Sequence, residues 1–123
     1  MKILILEDCP ERTKKFGRKL INHTVVFTQT SQDCIIALQS NMFDCLMLDH
    51  DLGGKTYEIP GENTGYGVVK WLVEHKDRCP LQVYVHSMNG PAANMMVKLF
   101  EDYEIKAMYV PWLWEKLVEP NGN

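Results

Sequence analysis

Five short apolar runs, separated by segments whose apolar residues recur at helical spacing, constrain this 123-residue chain more than any other feature. The runs are Lys2 to Glu7, His23 to Thr28, Asp44 to Asp49, Leu81 to His86 and Ile105 to Val110. Each is short and bounded by polar or turn-forming residues, as buried strands are. Strands that alternate with helices pair in parallel, because the crossover helix returns the chain to the same edge. The expectation is an α/β chain with a five-stranded parallel sheet and helices on both faces.

The helix signals agree. Pro10 suits a first helical turn and Glu11 the positive end of its dipole, which predicts a helix through Phe16 and Leu20 to about Ile21. Thr30 with Asp33 forms a capping-box-like start to a second helix through Ile35 and Leu38. Val68, Val69, Leu72 and Val73 repeat at helical spacing. Asn89-Gly90-Pro91 reads as a cap leading into Met96, Leu99 and Phe100, and Trp112 to Val118 as a short last helix. Residues 1–118 are expected to form one domain and 119–123 a frayed tail.

Composition narrows the function. A net charge of −3 lacks the basic excess that extended duplex nucleic-acid binding needs. It leaves room for a small anionic phosphate ligand or an RNA end. No apolar stretch approaches the roughly 20 residues of a membrane span. Met1 to Leu6 is as apolar as a signal-peptide core, but Glu7 and Asp8 interrupt it and no small-residue cleavage site follows. Cys9, Cys34, Cys45 and Cys79 show no CxxC spacing, which fits free thiols in a cytoplasmic protein.

The segment from Phe43 to Gly54 carries the chemistry. Its apolar strand ends in Asp49-His50-Asp51 before two glycines. In an open parallel sheet, ligands bind beyond the carboxyl ends of the strands. That crevice collects Glu7 and Asp8, then Asp49, His50 and Asp51, then His86, Ser87 and Asn89. Carboxylates gathered there repel one another unless a cation or proton sits among them. Glu7, Asp8, Asp49 and Asp51 are therefore the candidate metal ligands. Oxygen donors alone favour Mg²⁺; a histidine among them moves the preference toward Mn²⁺, Fe²⁺ or Zn²⁺. Strand parity sets Asp49 and Asp51 on one side and His50 on the other, and Asp51 can equally cap the following loop.

Ser87 and Asn89 are candidates for hydrogen bonds to phosphate oxygens, and Asn89 also for plain helix capping. The loop from Leu52 to Gly65 is long enough to close over a ligand. Its glycines lack P-loop spacing, and Gly53, Gly54 and Lys55 are its candidate phosphate contacts, with Tyr57 a candidate base contact. Tyr109, Trp112 and Trp114 suit base stacking, core packing or a homodimer surface.

Ile3-Leu4-Ile5-Leu6-Glu7-Asp8, Leu46-Met47-Leu48-Asp49 and Val83-Tyr84-Val85-His86-Ser87 resemble the first, third and fourth strands of response-regulator receiver domains. The resemblance implies a flavodoxin-like strand order 2-1-3-4-5. It also implies paired metal-holding acids, a phospho-acceptor at Asp49 and a phosphoryl-contacting hydroxyl at Ser87. Receivers usually carry lysine before the proline that follows the fifth strand; here Val110 precedes Pro111. Asp49-His50-Asp51-Leu52-Gly53 and Val85-His86-Ser87-Met88-Asn89 instead resemble a divergent branch, the cyclic-phosphate-processing receiver domains. That branch implies a metal-assisted hydrolase of cyclic phosphates, at RNA ends or in cyclic nucleotides. In this reading a metal-activated water attacks and His50 or His86 protonates the leaving oxygen, with Asp49 as an alternative covalent nucleophile. The competing expectation is a degenerate receiver that binds a protein partner or holds a cyclic nucleotide without cleaving it.

Overall fold

The computed structural model describes residues 1–55 and 58–120. Its strands are β1 (Lys2–Leu6), β2 (Thr24–Thr28), β3 (Cys45–Leu48), β4 (Gln82–Val85) and β5 (Met108–Tyr109). Its helices are α1 (Pro10–Lys19), α2 (Ser31–Ser40), α3 (Gly65–Glu74), α4 (Gly90–Asp102) and α5 (Leu113–Lys116). The strands form one parallel sheet in the order β2-β1-β3-β4-β5, as expected.

Alternation along the strands sorts the core into two layers. Leu4, Leu6, Leu46, Leu48, Val83 and Val85 pack with residues of α2, α3 and α4, among them Leu38, Leu72 and Phe100. Ile3, Ile5, Cys45 and Met47 pack on the other face with Phe16 of α1, with Leu20 just beyond its end, and with Leu113 and Trp114 of α5. Lys19 holds that short last helix by donating to the carbonyls of Glu115 (3.0 Å) and Leu117.

Most elements are a residue or two shorter than expected at one end or both, and two of the differing boundaries have clear local reasons. The fifth strand begins later than Ile105 because residues 103–105 finish α4. Glu104 takes a left-handed conformation (φ 61°), and the Ile105 N–H donates to the Phe100 carbonyl (2.9 Å). This Schellman closure uses the backbone that a longer strand would need. The third strand pairs from Cys45 to Leu48, so Asp49 stands at its exit.

A 3-10 turn at Lys76–Arg78, not expected from the pattern, explains how α2 ends. The last turn of α2 has no basic residue of its own. Arg78 supplies one, with Nε donating to the Leu38 carbonyl (2.9 Å) and Nη2 to those of Gln39 (3.0 Å) and Asn41 (3.3 Å). These are carbonyls a helix end leaves unpaired. Arg78→Ala is expected to cost about 1–2 kcal/mol, read as a lower urea midpoint at unchanged slope.

Candidate functional site

The register of the sheet builds the site. Leu6 pairs with Leu48, and Leu48 with Val85. One residue further on, the ladders continue: Asp49 N–H donates to the Leu6 carbonyl (3.0 Å) and His86 N–H to that of Leu48 (2.9 Å). Glu7, Asp49 and His86 thus form one row across β1, β3 and β4, on the face that carries Ile5 and Met47. All three are buried, and their ligand atoms lie within 4.8 Å of one another. His86 Nε2 is 3.2 Å from Glu7 Oε1. Its ring packs edge-on against Phe16 and Trp114, and its Nδ1 is buried without a hydrogen-bond partner among the described residues.

Electrostatics fit a cation in that row. Burial pushes the Glu7 carboxyl above its ordinary range, although the Cys9 N–H (3.1 Å) and Arg12 oppose this. Asp49 is pushed up to about 7, chiefly by burial and further by the Glu7 charge; His86, the His50 N–H and Arg12 pull it down. Burial lowers His86 to about 4 despite the Asp49 charge. Two carboxylates that resist ionisation and one neutral imidazole are an oxygen–oxygen–nitrogen donor set, which suits a divalent ion between hard and borderline. Ionising both acids without a partner cation is costly at this depth.

Arg12 was not singled out from the sequence. It lies in the first turn of α1, and its Nη1 is 3.9 Å from both Glu7 Oε1 and Asp49 Oδ2. Its guanidinium sits over the Trp114 ring, 4.4 Å from the centroid. The cation at this site therefore comes from α1, whereas Val110, before Pro111, donates its N–H to the Val85 carbonyl and packs its side chain against the core of that face. The sequence signal was its place five residues after Glu7, just inside a helix that starts over the end of β1. That position alone did not separate it from the other basic residues of α1.

The other expected site residues divide into two groups. Asp51 ties the loop down: its Oδ1 lies 2.7 Å from His50 Nδ1 and accepts from Glu58 N–H and Asn89 Nδ2, each at 3.1 Å. Asn89 also donates to the Glu58 carbonyl and caps α4 by accepting from Ala92 N–H. Ser87 Oγ accepts from Asn89 N–H (3.0 Å), and its carbonyl accepts from the Tyr109 hydroxyl (2.9 Å). His50 is fully buried, and its Nε2 has no hydrogen-bond partner among the described residues.

Asp8, Gly54 and Lys55 instead line an open cleft of ≈ 440 Å³ together with Arg12, Asp49, Asp51 and Asn89. Gly53 and Gly54 both have positive φ (71° and 75°), the left-handed region glycine adopts freely. That turn lets Gly54 N–H donate to Asp8 Oδ2 (3.0 Å). Lys55 is exposed, 3.9 Å from Glu58 Oε1. Asp8 and Asp51 thus border the cleft, outside the three-residue row. Trp114 is buried in the core and Trp112 is exposed. Tyr57 lies outside the described residues. No helix among the described residues is long and apolar enough to cross a membrane.

Solved structures confirm the fold. The BeF3-activated receiver domain of Nitrogen Regulatory Protein C (NtrC) matches with a TM-score of 0.67 at 14% identity, over 90% of this chain and 81% of that one. The Mn(2+)-bound form of response regulator Rcp1 matches with a TM-score of 0.65 at 16% identity, over 89% and 79%. The signal receiver domain of a putative Luxo repressor protein from Vibrio parahaemolyticus gives 0.68 at 14%, over 94% and 82%. No curated protein matches the sequence. The family model described as cyclic-phosphate processing receiver domain matches residues 2–102. With the receiver fold and the acid–histidine row in place, that match assigns the chain to the cyclic-phosphate processing receiver domain family.

Proposed function

We propose that this domain is a divalent-metal-assisted hydrolase of cyclic phosphates, with an RNA-end 2′,3′-cyclic phosphate or a cyclic nucleotide as substrate. The observation that carries this reading is the buried row of Glu7, Asp49 and His86 beside an open cleft. Those three residues would hold the ion. Mn²⁺ suits the mixed donor set, with Fe²⁺ and Zn²⁺ next and Mg²⁺ less favoured by the imidazole. The Mn(2+)-bound state of Rcp1, on the same fold, supports that choice. A bound divalent ion supplies Lewis acidity toward phosphoryl oxygens and makes water a better nucleophile.

The chain's own residues do the rest. His86, held neutral by burial, offers a lone pair and is a poor proton donor near neutral pH. We therefore assign His86 to the metal and give proton handling to the Asp51–His50 pair, whose shared atoms are Oδ1 and Nδ1. Asp51 reaches the cleft while His50 is buried behind it. Lys55 and the Gly54 backbone lie on the solvent side of the cleft, where an entering phosphate is met first. Ser87 and Asn89 hold the ends of β4 and α4 in register and serve the ligand by fixing Asp51. The four free cysteines suit a reducing, cytoplasmic setting, and exposed Trp112 suits self-association.

The test is phosphorus NMR of the protein with a 2′,3′-cyclic-phosphate oligonucleotide and with cyclic nucleotides, in the presence of Mn²⁺, Mg²⁺ or Zn²⁺. Ring opening is expected with Mn²⁺, and His50→Gln is expected to slow it about a hundredfold. Binding with no turnover under any of these metals would replace the hydrolase with a module that only holds its ligand.

A further inference from the structure

We infer that Arg12 is the phosphate-recognising cation of this pocket and competes with the divalent ion for the charge of Glu7 and Asp49. The inference rests on the metal-site reading above and goes further by assigning a residue that also sets metal affinity. Nη1 is equally far, 3.9 Å, from one oxygen of each acid. That separation is an ion pair without a direct hydrogen bond. The carboxylates attract the guanidinium but do not hold its fork. Its position comes from the Trp114 face at 4.4 Å.

Trp114 is fixed in turn. It is buried, and its ring makes edge contacts with Phe16 and with His86. The same aromatic surface thus positions the candidate ligand His86 and the cation Arg12. Among the described residues the guanidinium makes no hydrogen bond, and its side chain is 31% exposed on the wall of the cleft. An arginine with five N–H donors and a planar fork matches two phosphate oxygens at once. Lys55, the other cation lining the cleft, is a flexible exposed point charge near Glu58.

The charges then work in two states. Without a divalent ion, Arg12 offsets part of the Glu7 and Asp49 charge. With an ion bound to those acids, the guanidinium faces a second cation, and an anion lying between them relieves the repulsion. Metal alone therefore opposes Arg12, whereas metal and phosphate bind cooperatively through it, and that coupling is reciprocal.

The experiment titrates Mn²⁺ into wild-type, Arg12→Gln and Arg12→Lys proteins by electron paramagnetic resonance, with and without inorganic phosphate. Phosphate affinity of each Mn²⁺-loaded protein is measured by calorimetry, and near-ultraviolet circular dichroism checks folding. Without phosphate, Arg12→Gln is expected to bind Mn²⁺ about fivefold more tightly, because a nearby positive charge is gone. Its phosphate affinity is expected to fall about tenfold or more. Arg12→Lys keeps the charge but not the fork, so its Mn²⁺ affinity stays near wild type and its phosphate affinity is intermediate.

Weaker Mn²⁺ binding in Arg12→Gln, unchanged phosphate affinity, or no Mn²⁺ or phosphate binding by the wild type would each overturn the assignment. Because neither titration reads turnover, a protein that fails to open cyclic phosphates loses the hydrolase reading while the role of Arg12 is still decided.

Discussion

Asp49→Asn is expected to stabilise the metal-free protein by an amount that grows with pH and to remove its stabilisation by Mn²⁺. Asp49 is buried, and burial first, then the Glu7 charge, raises its carboxyl from 3.8 to about 7 against the pull of His86, the His50 N–H and Arg12. A folded pKa above the unfolded one gives stability that is complete below 3.8 and is lost as pH rises through about 7. The full loss corresponds to about 4 kcal/mol. Asparagine keeps an Oδ1 acceptor for the His50 N–H, now 2.8 Å from the carboxylate. The amide has its own desolvation cost, so a net gain of about 1–3 kcal/mol is expected at neutral pH and above.

His86 has the opposite sign. Burial lowers it from 6.5 to about 4, so its contribution is complete above 6.5 and is lost as pH falls through about 4. In the wild type the falling slope of Asp49, joined by that of Glu7, which burial also raises, opposes the rising slope of His86 between these values. In Asp49→Asn the Asp49 slope is gone while those of His86 and Glu7 are left, so the stability of the variant relative to wild type rises with pH across the same window. Urea melts in a chelator at several pH values read both curves. Mn²⁺ at a hundred times its Kd should add about 2.7 kcal/mol to the wild type and nothing to the variant. A gain independent of pH would detach the cost from Asp49 ionisation, and a wild-type response to Mn²⁺ would remove Asp49 from the ligand set.

The alternation of strands and helices was legible because burial on both faces leaves a continuous apolar run, and an amphipathic helix leaves its own period. Leu46-Met47-Leu48 and the Val68–Val73 repeat show both. The carboxyl-end location of the chemistry followed from the same pattern. What the pattern could not fix was register. Asp49 and Asp51 share parity, yet only Asp49 falls in the row, because the strand stops at Leu48 and Asp51 turns toward Asn89 and Glu58. His86 enters the row only because Leu48 pairs with Val85, a choice made by packing between distant segments.

Arg12 was least legible of all. Its role depends on where α1 crosses the end of β1 and on Trp114, about a hundred residues away in sequence, beneath its guanidinium. Ser87 and Asn89 show the converse. Their residue types suit a phosphate, and in the fold Ser87 Oγ also accepts from the Asn89 N–H while Asn89 caps α4 and ties Asp51 and Glu58 to it. A polar residue at a strand end has a backbone to satisfy before it has a ligand.

Gly65→Ala is expected to cost about 3 kcal/mol or more and to weaken Mn²⁺ binding, although Gly65 touches no ion. A Cβ at this position would lie 1.9 Å from the Asp49 carbonyl oxygen, 2.9 Å from its carbon and 3.0 Å from His50 Cα. These are backbone atoms, which cannot swing aside as a side chain can. Gly65 opens α3, and its N–H donates to the His50 carbonyl (2.9 Å). The start of the helix therefore rests directly on the turn that aims Asp49, His50 and Asp51. To admit a methyl group, either α3 withdraws from Leu46 and Leu48 or the Asp49 peptide rotates and takes its carboxylate out of line with Glu7 and His86. Gly17→Ala is the matched control. Gly17 lies within α1 with nothing within 4 Å of the added carbon. There the same change should stabilise by about 0.5–1 kcal/mol through helix propensity. Urea melts and Mn²⁺ titrations of the two variants are expected to move in opposite directions for stability, and only Gly65→Ala should change metal affinity. A Gly65→Ala protein that melts and binds Mn²⁺ like the wild type would mean that α3 does not set the geometry of the acid row.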